Sequence, residues 1–340
     1  MADIDHWHPI MPSKALRHKP VAVRLCGEEI AFFRTNGGQV GALADACPHR
    51  RMRLSLGRVV GERLTCAYHG WTFTCDGQGE SPGTPKMHAC AKTYDACEKY
   101  GHIWARRTGS ESAFPEFDIE GWTRVGSADF SAEAPLELTL DNFCEIEHTP
   151  EVHMVFGYDK ARMPEVEVHT DSTNETVHMI TLGPAKAVGP VLSWMIGISR
   201  KYHFRDEWTT KFSPVHSVYD HSWVEPDTGR ESKVKWRVYV FFTPETEGKT
   251  RVTAFTYAKS KWPGPTGGIR PFRWLMRKHL RREIDMDLAI LKGLASHEPG
   301  VDGMKLSRFD KCLVLNRERI NRVYRGQAES SRRPLPVAAE

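Results

Sequence analysis

The sequence predicts an α+β protein, in which an all-β part is followed by an antiparallel sheet and one long helix. Three observations predict it. About the first 105 residues alternate short β-rich runs with glycine turns. The chain beyond them holds longer β-patterned stretches, and Ile269–Ala295 then repeats apolar residues in steps of three and four.

In the first part, Val21–Leu25, Ile30–Arg34, Val40–Ala44, Arg63–Cys66 and Ile103–Ala105 are each strand-length, and Gly27, Gly37-Gly38, Gly61, Gly77 and Gly79 supply turns. The Pro-, Glu- and Phe-containing loop Gly109–Asp118 is the expected boundary. The expected organisation is residues 1–108, residues 109–327 and a flexible tail at 328–340. In the second part, Pro135–Leu140 reads as a strand leading into a short helix near Asp141, which Pro150 interrupts. Thr176–Leu182 and Tyr202–Tyr219 read as strands, and Lys233–Thr243 pairs with Thr250–Lys259 across the turn PETEGK. The helix Ile269–Ala295 carries an apolar stripe of Phe272, Leu275, Met276, Leu280, Ile284, Leu288 and Leu291. A sheet with a long helix packed on it is an α+β arrangement.

Composition excludes several classes. Among 340 residues, 47 basic and 43 acidic side chains give a net charge of +4, and they alternate along the chain rather than forming the basic stripe of a nucleic-acid binder. Forty per cent hydrophobic residues, with ten Trp and fifteen Phe, fill a substantial core. No apolar run reaches the ~20 residues of a membrane helix. The start, MADIDHWHPIMPSK, lacks a basic region followed by an apolar one, so a cytoplasmic protein without a secretory signal is expected. The eight cysteines then suit reduced thiols. Cys26, Cys75, Cys90, Cys97, Cys144 and Cys312 read as packing residues. His6, His8 and His18 read as surface or loop residues.

Two cysteines stand apart. Cys47-Pro-His49 is followed after sixteen residues by Cys66-Ala-Tyr-His69. A structural zinc site uses such ligands, and so does a [2Fe–2S] cluster with two thiolates on one iron and two imidazoles on the other. Each loop here supplies one Cys and one His, whereas zinc sites usually pair like with like. With its flanks CPHR and CAYHGW, the segment from about Trp7 to Ala105 resembles the Rieske domain of bacterial ring-hydroxylating oxygenases, and it ends on YGHIWA. The extra cysteines of the respiratory-chain type are absent, since Arg50 and Arg51 follow His49 and Tyr68 precedes His69.

A second set follows in Asp141-Asn-Phe-Cys-Glu145-Ile-Glu-His148-Thr-Pro-Glu-Val-His153. Glu145 and His148 would share a helical face, and a break at Pro150 would let His153 turn toward the same point. Two His and one carboxylate form the facial triad of ferrous oxygenases. The motif looks like the mononuclear iron site of Rieske oxygenases, an acid followed by His-x4-His. That resemblance implies that His148 and His153 bind iron and that Glu145 links a neighbouring subunit's cluster to it. Most relatives have Asp there, and Glu occurs in members acting on quaternary amines. The spacing from Asp141-Asn142 resembles the demethylating and hydroxylating monooxygenases more than the naphthalene-type dioxygenases, which places Asn142 beside Glu145 among the catalytic residues. The family's third ligand is an Asp just before an apolar run on the long helix. Of Glu283, Asp285 and Asp287, this selects Asp287, whose helical mates Ile284, Ile290 and Leu291 are apolar, while Asp285 is turned by about 200°.

The resemblance thus implies a Rieske domain followed by a helix-grip-like catalytic domain holding one Fe(II). The function it implies is monooxygenation, by hydroxylation or oxidative demethylation, of a small and preferably aromatic substrate by O2. With no GxGxxG fingerprint, electrons must come from a separate reductase, with or without a ferredoxin, and Arg50, Arg51 and Arg53 could orient an acidic one. A homotrimer without nucleic-acid or membrane partners is expected. A cis-dihydroxylating dioxygenase, a methylammonium monooxygenase and a Rieske electron carrier are the rivals. Trp194, Met195, Phe204, Trp208, Phe212, Trp223 and Trp236 are candidate pocket walls.

Overall fold

The structure, a computed structural model, describes residues 3–264 and 266–327. The expected tail, 328–340, lies outside the described residues. These form two compact units: one runs through Pro115 and takes in Thr243–Glu247, and the second comprises the rest. The first therefore extends past residue 108 and includes a short piece of the later chain.

The first unit is built from strands β1 (His8–Pro12), β2 (Val21–Leu25), β3 (Glu28–Arg34), β4 (Val40–Ala44), β5 (Arg58–Val60), β6 (Arg63–Thr65), β7 (Thr72–Phe73), β8 (Gln78–Ser81), β9 (Thr84–Cys90), β10 (Tyr94–Lys99) and β11 (His102–Arg107). They form three sheets, β1-β11-β10, β2-β3-β4 and β5-β6-β7-β8-β9. One core gathers Ile30, Phe32 and Ile103, and another gathers Phe33, Leu54, Leu64 and Phe73 beneath Cys47 and Cys66. Two expectations fail here. His6 and His8 are wholly buried rather than superficial. His8 Nε2 lies 2.9 Å from the Asp3 carbonyl, and burial pushes its pKa down to about 3, so a neutral imidazole with a backbone partner fits the core. Cys90 is exposed rather than packed, while Cys144 and Cys312 are buried as expected.

The second unit has strands β12 (Thr123–Ala132), β13 (Glu167–Ser172), β14 (Thr176–Pro184), β15 (His203–Phe212), β16 (Val215–Val224), β17 (Val234–Thr246) and β18 (Lys249–Ser260). They make one antiparallel sheet in the order β12-β18-β17-β16-β15-β14-β13. Tyr202–Tyr219 is two strands, since Phe212 pairs with Val215 across the Ser213-Pro214 turn. The helices are α1 (Leu136–Cys144), α2 (Thr149–Val152), α3 (Pro190–Ile196), α4 (Ile269–Lys292) and α5 (Lys311–Arg319). Along α4, Met276, Leu280, Glu283, Ile284, Asp287 and Leu291 are buried, while Phe272 is 46% exposed and Asp285 faces solvent.

Pro135–Leu140 is the start of helix α1 and not a strand. Leu136, Leu138 and Leu140 alternate like a strand, but Glu137, Thr139 and Asp141 are buried with them. A helix covered on all sides shows no 3.6-residue stripe. Its buried acids are met from the C-terminal segment, where Arg317 on α5 contacts both Asp141 oxygens at 2.5 and 2.8 Å and Arg325 contacts Glu137 at 2.6 Å. Burial raises the Asp141 pKa to about 6 against the opposing pull of Arg317.

Removing one partner of a buried pair strands the other, which costs about 3–5 kcal/mol. Arg317→Met should therefore lower unfolding free energy by about that much in urea titrations, and adding Asp141→Leu should restore most of it. A single variant as stable as the wild type would show that the clamp carries no stability.

Candidate metal centres and the cavity beside them

Two loops of the first unit share one backbone pattern. Cys47 N–H donates to the Met52 carbonyl at 2.8 Å, and the Cys47 carbonyl accepts from Arg51 at 2.8 Å. Cys66 N–H donates to Trp71 at 2.7 Å, and its carbonyl accepts from Gly70 at 3.2 Å. The fourth residue after each cysteine has positive φ, 57° at Arg51 and 71° at Gly70. The repeated turn presents the two cysteines alike. Both are 2% exposed. The His49 and His69 rings lie 4.6 Å apart nearer the surface, and Trp71 stacks on His49 at 4.7 Å. Burial raises the Cys47 thiol pKa, as does the facing Cys66, while the His49 and Arg50 backbone N–H groups oppose this. Those amides are placed to favour a thiolate. With thiols grouped inside and imidazoles grouped outside, the tetrad fits a two-iron cluster better than four ligands around a single zinc.

The second centre lies where α1 ends. Glu145 leaves the helix with φ −105° and ψ 150°. His148 and His153 then flank the one-turn helix α2 as its caps. Pro150 stands in the first turn of α2, where a missing N–H needs no partner. It therefore begins a turn of helix and does not interrupt a longer one, as the sequence reading held. Lys186 fixes the other end, placing its ammonium against the carbonyls of Thr149 (3.3 Å), Pro150 (3.2 Å) and His153. Gly157 allows the following loop to close on α2, because a Cβ there would stand 2.6 Å from Thr149 Oγ1.

The structure brings His148, His153 and Asp287 together. His148 Nε2 is 3.0 Å from His153 Nε2, and Asp287 Oδ1 is 3.3 Å from the first and 2.9 Å from the second. Donors about 3 Å apart stand at adjacent corners of an octahedron with bonds of roughly 2.1 Å, which leaves the opposite face open. Each outer ring nitrogen faces a carboxylate, by direct contact at His148 and at ion-pair distance without hydrogen-bond geometry at His153. His148 Nδ1 contacts Glu145 Oε1, and His153 Nδ1 lies 2.8 Å from Glu283 Oε2. Glu283, passed over by the sequence reading, is 3% exposed and also accepts from Met154 N–H at 3.1 Å. Its spacing of one turn from Asp287 on the same face was the signal available. Asn142 lies on the buried end of α1, and its Nδ2 has no hydrogen-bond partner among the described residues.

Burial by itself lowers both imidazole pKa values. Asp287 outweighs it, with Glu145 at His148 and Glu283 at His153, and both rise to about 9. Burial works to raise the Asp287 pKa, yet the two imidazoles hold it below the usual carboxylate range. The site is therefore a pocket of negative potential that takes protons or a cation.

A cavity of about 90 Å³ opens beside these residues, walled by Phe204 and Trp208 among others. Phe156 and Leu280 also line a second, apolar chamber of about 350 Å³ with Trp194, Met195, Trp236 and Trp262. Phe212 and Trp223, two of the expected walls, are core residues that line neither.

Comparison with known proteins adds the following. Residues 6–95 match the Rieske [2Fe-2S] domain, and residues 132–310 match the vanillate O-demethylase oxygenase C-terminal domain. A vanillate O-demethylase oxygenase subunit from Pseudomonas sp. (strain HR199 / DSM 7063) is 29% identical over 180 residues, 50% of this chain and 50% of that protein. Protein TIC 55, chloroplastic, from Pisum sativum is 32% identical over 173 residues, 45% of this chain and 31% of that protein. The chain thus spans half or less of the length of these curated relatives. A crystal structure of dicamba monooxygenase bound to 3,6 dichlorosalicylic acid has the same fold, with TM-score 0.80 at 18% identity over 95% of this chain and 97% of that one.

Two predictions follow from the geometry. Glu283→Gln should keep the fold but weaken iron binding about 10- to 100-fold in chelator competition, as loss of an outer partner of a metal-bound histidine does. Unchanged affinity would show that Glu283 does not support His153. The histidines titrate near 6.5 when unfolded and near 9 when folded. Iron-free protein therefore holds this stabilisation fully below about pH 6.5 and loses it as pH rises through about 9. A metal must displace those protons. The melting temperature of iron-free protein should fall over that window while the gain from iron grows, and a gain that shrinks with pH would contradict the site.

Proposed function

The chain belongs to the Rieske oxygenases, as an oxygenase subunit with a catalytic part of the vanillate O-demethylase type, and from that membership we propose that it is a terminal monooxygenase for a small, apolar, aromatic substrate. On this reading Cys47, His49, Cys66 and His69 hold the [2Fe–2S] cluster, and His148, His153 and Asp287 hold one iron. The observation that carries it is the meeting of three donor atoms within 3.3 Å of one another beside a cavity. When bound, the two metal groups supply one-electron transfer and dioxygen activation.

The protein's own residues set the conditions. Glu145 fixes which ring nitrogen of His148 faces inward, and Glu283 stands 2.8 Å behind His153 Nδ1. Lys186 keeps α2 from moving away. The walls Phe156, Phe204, Trp208 and Leu280 exclude water and hold an apolar substrate in place. Insertion of one oxygen atom into a C–H bond gives a hydroxyl, and where that carbon bears oxygen or nitrogen the adduct collapses to an aldehyde, which is demethylation. No carboxylate lines the apolar chamber among the described residues, so a cationic methylammonium group would find no counter-charge there.

Electrons come from a separate reductase, and the exposed Arg50 and Arg51 beside His49 suit an acidic one. The site residue Glu145 would carry them from a neighbouring subunit's cluster in a closed ring of three. No helix among the described residues is long and apolar enough to cross a membrane, which accords with action in the cytoplasm.

Turnover under 18O2 with a reductase should give product or aldehyde carrying one labelled atom, whereas two labelled atoms would assign a dihydroxylating dioxygenase instead. Glu145→Ala should retain both metal groups, by iron analysis and visible absorption, and lose coupled turnover. Full activity in that variant would remove Glu145 from the electron path.

A further inference from the structure

One rank of polar side chains crosses the inner face of the sheet beside the metal site. Asp206 on β15 pairs in register with His221 on β16, which pairs in register with Trp236 on β17. The neighbouring ranks are Phe204–Trp223 and Trp208–Tyr219–Val238, so the polar rank is a break in an otherwise aromatic and aliphatic floor. Asp206 and His221 line the cavity next to His148, His153 and Asp287, and Trp236 lines the apolar chamber. Phe156 packs on both rings, 4.8 Å from His221 and 5.9 Å from Trp236.

The hydrogen-bonding capacity of this rank is not used up within the protein. Asp206 Oδ1 lies 3.1 Å from His221 Nε2. The pair stands at ion-pair distance without hydrogen-bond geometry, since Asp206 Oδ1 is also buried without a hydrogen-bond partner among the described residues and remains an acceptor. His221 Nδ1 and Trp236 Nε1 are both buried, and neither has a hydrogen-bond partner among the described residues. Trp236 is 7% exposed. A buried polar atom without a partner costs stability, so such atoms beside a cavity point to a group that arrives with the ligand. An acceptor on β15 (Asp206 Oδ1) and a donor on β17 (Trp236 Nε1), with a ring nitrogen of His221 between them, suit a group that both gives and takes a hydrogen bond, which a hydroxyl does. They do not suit a carboxylate: no Lys or Arg lines the cavity or the chamber among the described residues, and Asp206 would repel an anion.

We propose that Asp206, His221 and Trp236 together bind a hydroxyl group of the substrate, which makes the ligand a neutral, phenol-like compound. Its apolar body occupies the chamber, and the carbon to be oxidised faces His148, His153 and Asp287. The inference rests on the monooxygenase reading and narrows its substrate class.

The test uses the iron-loaded, reduced holoprotein under anaerobic conditions, titrated calorimetrically with 2-methoxyphenol, methoxybenzene and 2-methoxybenzoate. The phenol should bind at least about tenfold tighter than either of the others, the margin expected of a site built around a hydroxyl. His221→Phe keeps the ring on Phe156, and Trp236→Phe removes only the indole N–H and its second ring. Each should erase most of that margin while methoxybenzene binding stays within about threefold, a margin that preserves the apolar contacts. Equal affinities, a preference for the benzoate, no binding of any of the three, or a margin that survives both variants overturns the proposal. If neither variant folds, the wild-type series alone decides it. Iron analysis of the same samples separates the two failures. Iron present beyond the cluster pair with no preference for the phenol defeats the hydroxyl site alone, and absence of that iron defeats the monooxygenase reading and the hydroxyl site with it.

Discussion

The imidazole of His153 lies between two carboxylates of one helix, and the second unit is arranged around that contact. Glu283 and Asp287 stand four residues apart on the buried face of α4, where like charges repel. His153 reaches both, with Nδ1 2.8 Å from Glu283 and Nε2 2.9 Å from Asp287. It thereby ties the loop after α1 to a helix more than a hundred residues later in the chain. Glu283 doubles the tie by accepting the Met154 and Val155 amides. Without a cation the two acids would be buried beside each other, so protons on His148 and His153 offset them in the iron-free protein, and a metal can take over that role.

The surrounding fold serves this contact from three sides. Helix α1 delivers Glu145 and Asn142, and it is held down by Arg317 and Arg325 from the C-terminal segment. Lys186, from the loop after β14, anchors the carbonyl end of α2. The sheet gives a floor whose aromatic ranks keep water from the site, since Trp208 and Trp223 are each 1% exposed. The first unit solves a different problem with the same economy of means, since one turn used twice places two thiols and two imidazoles in matching positions.

Much of this was legible in the residues. Cys47, His49, Cys66 and His69 stood out because their chemistry is packed into two short loops, and His148, His153 and Asp287 because ligand types and helical facing agreed. What escaped the sequence has physical causes. Helix α1 read as a strand because burial on every side removes the amphipathic stripe. Pro150 read as a breaker because a one-turn helix is too short to show a period, although proline suits its first turn. Glu283 was set aside for Asp287, the acid just before the apolar run, and the contact that gives Glu283 its place is with a residue 130 positions away in sequence. His221 carried no signal, since only strand register sets it beside Trp236, one of the expected pocket walls.

The central claim is that His148, His153 and Asp287 hold a reactive iron distinct from the cluster. Electron paramagnetic resonance of anaerobic, reduced protein exposed to nitric oxide tests it most directly, with Asp287→Ala as the control. The account predicts a high-spin iron–nitrosyl signal beside that of the reduced cluster in the wild type, and the cluster signal alone in the variant. A fully metal-loaded wild type showing only the cluster would contradict it and leave an electron carrier with an elaborate second domain.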